Sequence, residues 1–274
     1  MDRVDGVLIL LPPSEGKTAP ASGRPLDPSG LLLADDPDVT AARAEMLDRL
    51  AEVSGREDAL EVLGVGASLA DEVAANRTMR QNPAAAAHRV YTGVLFDALD
   101  YGSLPAAART RARSRALVFS ALFGATSLGD AIPAYRLSIG AKLPDMPGLG
   151  TWWKRRLTPA LDALAEEAGG PIVDCRSGGY AAQWKAPAGR TVAVDVFQLK
   201  AGRRTVVSHF AKHTRGLVAR ELLAAPAAQV RTLEKAVAVV EKAGGPDGPH
   251  DWTVELVEPT ARKAGSLQVV LPER

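Results

Sequence analysis

Apolar positions along the chain form short continuous runs in some segments and recur with helical spacing in others. Residues 7–11 are all apolar and are followed by Pro12 and Pro13, a pattern that predicts a buried strand with a sharp stop. Helical spacing over residues 39–53 and 152–168 predicts amphipathic helices. The chain therefore combines both kinds of element.

Further elements are predicted along the rest of the chain. Helices are predicted over residues 106–115, 212–225 and 227–243. Strands are predicted over residues 116–123, 172–175, 191–197, 205–210, 252–257 and 267–271. The strands lie between helices without a regular βαβ rhythm, which disfavours a doubly wound fold. We predict an α/β fold with α+β character, in which helices surround a mixed β-sheet, and a single domain over residues 1–274.

Residues 60–70 have the form apolar-Gly-apolar-Gly between two helical patterns. This form predicts a helix-hairpin-helix element at about residues 56–76, with Gly64 and Gly66 permitting a tight turn whose N–H groups contact a nucleic-acid backbone. A purely structural turn is the alternative. The local charge favours that alternative, because residues 55–75 carry five acids and one base.

The net charge of +1 hides an asymmetry along the chain. Residues 1–100 carry a net charge of −8, residues 101–220 of +11 and residues 221–274 of −2. The basic middle segment indicates an anionic partner, with solvated surface arginines as the alternative. No apolar run is long enough to cross a membrane and no signal peptide is recognisable, so we expect a cytoplasmic protein.

The candidate metal ligands are few. Cys175 is the single cysteine, which excludes an internal disulfide and a cysteine-based zinc site. We interpret it as a buried core residue, with a reactive thiol as the alternative. His209 and His213 are four residues apart, but no nearby acid completes a ligand set. We therefore predict neither a metal nor a cofactor.

Lys17 follows the first predicted strand closely. The Gly-Lys-Thr sequence at residues 16–18 resembles the end of a phosphate-binding loop, but Leu11 stands where that loop needs its first glycine. A lysine just past the carboxyl end of a central strand is still well placed to meet a ligand. It would serve as an anion contact or, if desolvated, as a nucleophile, and a solvated loop lysine is the alternative.

Several short motifs occur in a specific order. They are the strand and lysine loop at residues 8–18, Val90-Tyr91-Thr92-Gly93, Leu122-Phe123-Gly124, the Pro-x-Tyr-Arg-Leu sequence within residues 133–140, Trp153, the Ser-x-x-Tyr sequence at residues 177–180 and the Ala-Lys-x-x-Arg-Gly sequence within residues 208–216. In order and spacing they resemble the YaaA family of peroxide stress resistance proteins over nearly the whole chain. The chain departs from the family pattern at Gly178-Gly179, where an acidic residue is common, and at residues 125–127, where an Arg-Pro turn is common.

The resemblance implies a one-domain α/β fold with a helix-hairpin-helix and a positively charged cleft. It also implies a cytoplasmic role against peroxide damage, linked to lower free iron, and binding to duplex and distorted DNA. Six residues with ligand-type side chains fall in the motifs or beside them, and we expect them to converge on one cleft. They are Lys17, Tyr135, Arg136, Lys142, Lys212 and Arg215.

Two functions are compatible with these observations. The first is a DNA-binding stress protein whose phosphate contacts are Lys17, Gly64, Gly66, Arg136, Lys142, Lys212 and Arg215. The second is an enzyme acting on a small anionic or nucleotide-like substrate in the same cleft. In that case Lys17 or Lys212 would be the nucleophile or charge stabiliser, and Tyr135 or Tyr180 would donate a proton.

Overall fold

A computed structural model describes residues 6–206, 208–245 and 247–273 of the chain. The strands that it describes are β1 (Leu8–Leu11), β2 (Ala85–Ala86), β3 (Ala116–Ser120), β4 (Gly124–Ser127), β5 (Ala131–Ile132), β6 (Ile172–Asp174), β7 (Thr191–Lys200), β8 (Arg203–Val206), β9 (Thr253–Val257) and β10 (Gly265–Leu271). The α-helices are α1 (Pro37–Val53), α2 (Ala59–Leu63), α3 (Ala70–Ala75), α4 (Ala87–Val90), α5 (Val94–Leu99), α6 (Ala106–Arg115), α7 (Leu149–Ala168), α8 (Gly178–Ala181), α9 (Ser208–Ala224) and α10 (Leu233–Ala243).

The main sheet is mixed, as the sequence predicts. Its strand order is β4-β3-β1-β6-β7-β10-β9, and β8 pairs with β7 beside this path. The five central strands from β3 to β10 are parallel, whereas β4, β8 and β9 each pair antiparallel with a neighbour. All four residues of β1 are buried, which is typical of a parallel strand covered on both faces.

The β7–β8 hairpin brings the following helix back to the centre of the sheet. β7 pairs with β6 through residues 191–193 and with β8 through residues 197–200. β10 occupies the other edge of β7, so β8 lies on the same side as β6, beyond the point where β6 ends. The chain then enters α9, whose early residues reach the carboxyl end of β6.

Large apolar side chains join the helices to the sheet. Trp152 and Trp153 at the start of α7 are both buried, and the Trp153 indole donates a hydrogen bond of 2.7 Å to the Ala121 carbonyl. No helix in the described part of the chain has both the length and the apolar composition needed to cross a bilayer.

Two predicted strands have different bounds in the structure. The strand predicted over residues 116–123 ends at Ser120, whose Oγ accepts hydrogen bonds from the next two turn amides, those of Leu122 and Phe123. The strand predicted over residues 205–210 ends at Val206, and α9 already begins at Ser208. After Ser120 a local turn overrides an apolar run that reads as continuous strand.

The predicted hairpin segment contains two short helices, α2 and α3, of five and six residues. Gly64 between them adopts φ 65° and ψ 39°, the left-handed conformation that favours glycine. Gly66 has φ −80° and ψ 165°, which any residue adopts, so positive φ is confirmed only at Gly64. These helices do not confirm a helix-hairpin-helix insert, and nucleic-acid binding by this segment stays a prediction.

Gly216 lets α9 pack closely against α5. A Cβ atom at this position would collide with the Leu95 carbonyl oxygen and lie 2.8 Å from the Ala98 side chain. The contact is close because residue 216 has no side chain to separate the two helices. It also positions the preceding turns of α9, which carry Lys212 and Arg215.

We expect Gly216→Ala to destabilise the protein by about 1–2 kcal/mol. The collision is with backbone, so the overpacking cost falls in the upper half of its usual range, about 2–3 kcal/mol, and the higher helix propensity of alanine offsets about 1 kcal/mol of it. Gly102→Ala is the matched control, because a Cβ atom there meets nothing within 4 Å. Thermal unfolding of both variants tests this expectation, and an unchanged or higher Tm for Gly216→Ala would contradict it.

Candidate functional site

A cleft of about 490 Å³ opens where β1 and β6 end. Residues 12–16 after β1, residues 92–96 at the start of α5, the segment after β6 and one side of α9 form its walls. β1 lies between β3 and β6 in the sheet. The chain after β1 first forms β3 on one side of it and later forms β6 on the other side. A crevice at the carboxyl ends of such strands is the common ligand site of α/β sheets.

Hydrogen bonds fix the loop that follows β1. The Ser14 hydroxyl donates to the Gly16 carbonyl and accepts a hydrogen bond of 3.0 Å from the Thr92 amide. The Thr18 amide donates to the Val90 carbonyl at 2.9 Å. The wall of the cleft is therefore held between the first strand and the segment that leads into α5.

Lys17 folds back under this loop. Its Nζ donates to the carbonyl oxygens of Ser14 at 2.9 Å and Glu15 at 3.3 Å, and it lies 4.2 Å from the centre of the Tyr135 ring. The pKa of Lys17 is lowered to about 8, chiefly because burial disfavours the charged amine. The charge of Glu15 opposes this shift and the positive charge of Arg136 contributes to it. A lysine in this position has an accessible neutral form.

Arg136 connects the hairpin to the loop. Its Nη1 donates to the Glu15 carbonyl at 2.8 Å, while its Nε and Nη2 both donate to the Glu72 carboxylate on α3. The Asn76 side chain accepts from the Arg136 amide at 2.9 Å and donates to the Arg136 carbonyl at 3.0 Å. The acidic hairpin thus holds both the backbone and the side chain of Arg136.

The Glu15 carbonyl oxygen accepts hydrogen bonds from both Arg136 and Lys17. Hydrogen bonds from charged donors are the stronger kind, so this shared acceptor fixes the separation of the two cations. The Glu72 carboxylate contacts only the first of them. Glu72 therefore affects Lys17 in two ways. It holds Arg136 in place, and its negative charge raises the pKa of Lys17.

A chain of hydroxyl groups lies beneath Lys17. Ser120 Oγ accepts hydrogen bonds from two backbone amides, which use both of its lone pairs. Its own proton is therefore donated to Tyr135 Oη, at 2.8 Å. Tyr135 Oη lies 3.1 Å from Tyr91 Oη. Burial raises the pKa of Tyr91 to about 12 and that of Tyr135 well above its usual value. Tyr135 therefore faces Lys17 with its ring, while its hydroxyl is directed into the core.

The opposite wall carries two cations and a tyrosine. Arg215 Nε donates to the Val194 carbonyl at 2.9 Å, and among the described residues no other atom of this guanidinium has an acceptor. Lys212, one turn earlier on α9, is exposed. Tyr180 also lines the cleft, and burial raises its pKa, so its hydroxyl stays protonated at neutral pH.

Cys175 lines the same cleft but is fully buried. Its Sγ lies 3.9 Å from the Arg215 carbonyl oxygen, and burial raises the pKa of the thiol to about 12. The cysteine is therefore the buried residue that the sequence predicts, and its thiol is protonated at neutral pH.

The structure brings Tyr180, Lys212 and Arg215 to the lining of this cleft. Lys17 and Arg136 contact the loop that forms its wall without lining it, and Tyr135 does not line it. Lys142 and Gly64 line a second pocket of about 460 Å³, which also contains Asp58 and Glu61, and Gly66 is exposed on the hairpin. The expectation that Lys142 converges with the other cations is therefore wrong, because its loop packs beside α2.

No group of three or more metal-ligating side chains occurs in residues 6–206, 208–245 and 247–273. The side chain of His209, which forms the predicted histidine pair with His213, lies outside the described part of the structure.

We expect Glu72→Gln to lower the pKa of Lys17 below about 8. The glutamine oxygen still accepts hydrogen bonds from Arg136, but the negative charge that favours the ammonium form of Lys17 is gone. Competitive acetylation at several pH values, read by peptide mass spectrometry, reports the protonation of this single amine.

The matched control is Asp71→Asn, which removes one negative charge from the neighbouring position of α3, where the side chain is exposed. Arg136→Met should move the Lys17 pKa upward, opposite to Glu72→Gln. Equal pKa values for Lys17 in the Glu72→Gln and Asp71→Asn proteins would show that the Glu72–Arg136 pair does not act on Lys17.

Comparison with known proteins agrees with the order of motifs around this cleft. The sequence profile described as peroxide stress protein YaaA matches residues 7–239. A UPF0246 protein of Streptomyces coelicolor is 43% identical over 263 residues, 92% of this chain and 98% of the relative. UPF0246 proteins of Corynebacterium efficiens (43%, covering 80% of this chain and 86% of the relative) and Corynebacterium glutamicum (38%, covering 87% and 93%) are also similar. The chain therefore belongs to the YaaA (UPF0246) family of peroxide stress proteins.

Proposed function

We propose that this peroxide stress protein binds a small, phosphate-bearing, nucleotide-like molecule in the cleft at the ends of β1 and β6. The main support is the position of Arg215. Its Nε donates a hydrogen bond to the Val194 carbonyl, while its terminal nitrogens have no acceptor among the described residues. A guanidinium held in this way presents paired donors of the geometry that phosphate oxygens accept. Lys212 adds a second positive charge on the same helix.

The size and lining of the cleft support a small ligand. Its volume of about 490 Å³ lies within the range of small-molecule sites, and most of its wall is apolar, with a few polar groups. Pro12, Val94 and Phe96 supply apolar surface against which a flat ring could pack. Tyr180 supplies a protonated hydroxyl in the cleft, so the same geometry supports proton transfer to a bound molecule in a cytoplasmic enzyme.

DNA binding is the second candidate, and the net charge of +11 on residues 101–220 favours it. In that case Lys212, Arg215 and other bases of this segment would contact phosphates of duplex or distorted DNA. The hairpin is a weaker candidate for the contact surface. Its Glu72 is engaged with Arg136, and the exposed Glu61 and Asp71 would repel phosphates.

A nucleotide or inorganic phosphate should raise the Tm of the protein by several degrees. A ligand at one hundred times its Kd stabilises the folded state by about 2.7 kcal/mol. Arg215→Met should remove most of this shift, whereas Lys142→Met, which removes an equal charge in the second pocket, should not. Equal losses in the two variants, or no shift with any nucleotide or phosphate, would contradict a site in the cleft.

Short DNA duplexes test the second candidate. If DNA is the partner, binding should be independent of sequence and should weaken steeply with salt, because released counterions dominate the affinity. Lys212→Met should then weaken binding modestly and reduce the salt slope by about one. An affinity that is unchanged between low and moderate salt would exclude this mode of DNA binding.

A further inference from the structure

A cavity of about 600 Å³, the β7–β10 pocket, opens where β7 and β10 end. Leu199 of β7 and Val270 of β10 give it apolar walls, and residues 245 and 248–252 of the loop between α10 and β9 form most of the rest. Among the described residues, none lines both this pocket and the cleft at the ends of β1 and β6. Apolar walls with a few polar groups, in a cavity of this size, are typical of a small-molecule site.

The hydrogen-bond donors of the loop in this pocket are largely used inside the protein. The Gly245 amide donates to the Trp252 carbonyl, and the Gly248 amide donates to the Gly245 carbonyl. The His250 amide donates to the Ala243 carbonyl, and the Trp252 indole donates to a carbonyl of α10 at 3.0 Å. Two further lining residues are prolines, which have no amide proton. The pocket therefore has few donors to offer a ligand.

Two side-chain acceptors of the pocket, in contrast, remain available. His250 Nε2 lies 3.0 Å from Glu221 Oε1, and it is the donor of this pair because a carboxylate accepts. Nδ1 is then the acceptor of the neutral ring, and it has no partner among the described residues. The ring is held by stacking on Trp252, with the ring centres 4.3 Å apart. Asp251 also lines the pocket, and its carboxylate has neither a hydrogen bond nor an ion pair within the described part of the chain.

We propose that the β7–β10 pocket binds a small organic cation, a primary ammonium group attached to an apolar body. An ammonium group has three donors and no acceptor, so it complements a pocket whose free polar groups accept. Its charge pairs with the Asp251 carboxylate, a further N–H donates to His250 Nδ1, and the apolar body packs against Leu199 and Val270. No lysine or arginine is among the described lining residues, so an anion finds no counter-charge there. This preference is opposite to that of the cleft, which carries Lys212 and Arg215.

2-Phenylethylammonium and 2-phenylethanol test this site, because they share an apolar body and differ in the polar group. Calorimetric titration of the intact protein should give an affinity about fivefold or more higher for the ammonium compound than for the alcohol. Asp251→Asn should lower the affinity for the ammonium compound about five- to tenfold and leave that for the alcohol unchanged. The matched control is Asp247→Asn, which removes the same charge from an exposed position of the same loop outside the lining and should change neither affinity.

The imidazole of His250 gives a second readout in the wild-type protein. Its NMR signals should shift when 2-phenylethylammonium is added, while those of His88, which is outside this pocket, stay unchanged. Inorganic phosphate should not compete with the ammonium compound, because the two ligands occupy different sites.

Several results would overturn the proposal. They are equal affinities for the ammonium compound and the alcohol, equal effects of the two aspartate substitutions, and an unshifted His250. Tighter binding of 3-phenylpropionate than of the ammonium compound would show that the pocket prefers an anion. Competition by phosphate would place the probe in the cleft, and no binding of any probe would show that the pocket is not a ligand site. The anion site in the cleft stands or fails separately, because its test uses phosphate and Arg215.

Discussion

The carbonyl oxygen of Glu15 connects two cations beside the cleft, because it accepts hydrogen bonds from both Arg136 and Lys17. Neither cation can move without losing this acceptor. The carbonyl is itself held in place because the loop leaves β1, a fully buried strand inside the parallel sheet, and is tied to the Thr92 amide through Ser14. The position of the amine therefore follows from the pairing of the first strand.

Burial sets the protonation states of several groups in and around the cleft. Desolvation disfavours the charged form, so it lowers the pKa of Lys17 and raises the pKa of Tyr91, Tyr180 and Cys175. The result at neutral pH is protonated phenols and a protonated thiol beside an amine that loses its proton readily. A fully exposed set of the same residues would hold only an ammonium ion.

Local patterns predicted much of the fold and less of the site. The helix predicted over residues 152–168 and the first strand follow from their apolar patterns, because the residues that each of them buries are apolar. The site depends on pairs that lie far apart in sequence, such as Glu72 with Arg136, and no periodic pattern records such a pair. Lys142 shows that closeness in sequence to the motifs does not place a residue at the site. It falls beside the matched motifs, yet the packing of its loop on α2 takes it to another pocket.

The acidic hairpin is better explained by the cation that it holds than by a nucleic acid that it could bind. The Arg136 side chain is only 9% exposed, and a negatively charged partner stabilises a guanidinium with so little access to solvent. Glu72 supplies that charge, and Asn76 binds both polar groups of the Arg136 backbone. The negative charge of this segment, which is unfavourable for a phosphate contact, is what a clamp on an arginine needs. The same two side chains place Arg136 against the Glu15 carbonyl, so the hairpin contributes to the site by fixing the surroundings of Lys17.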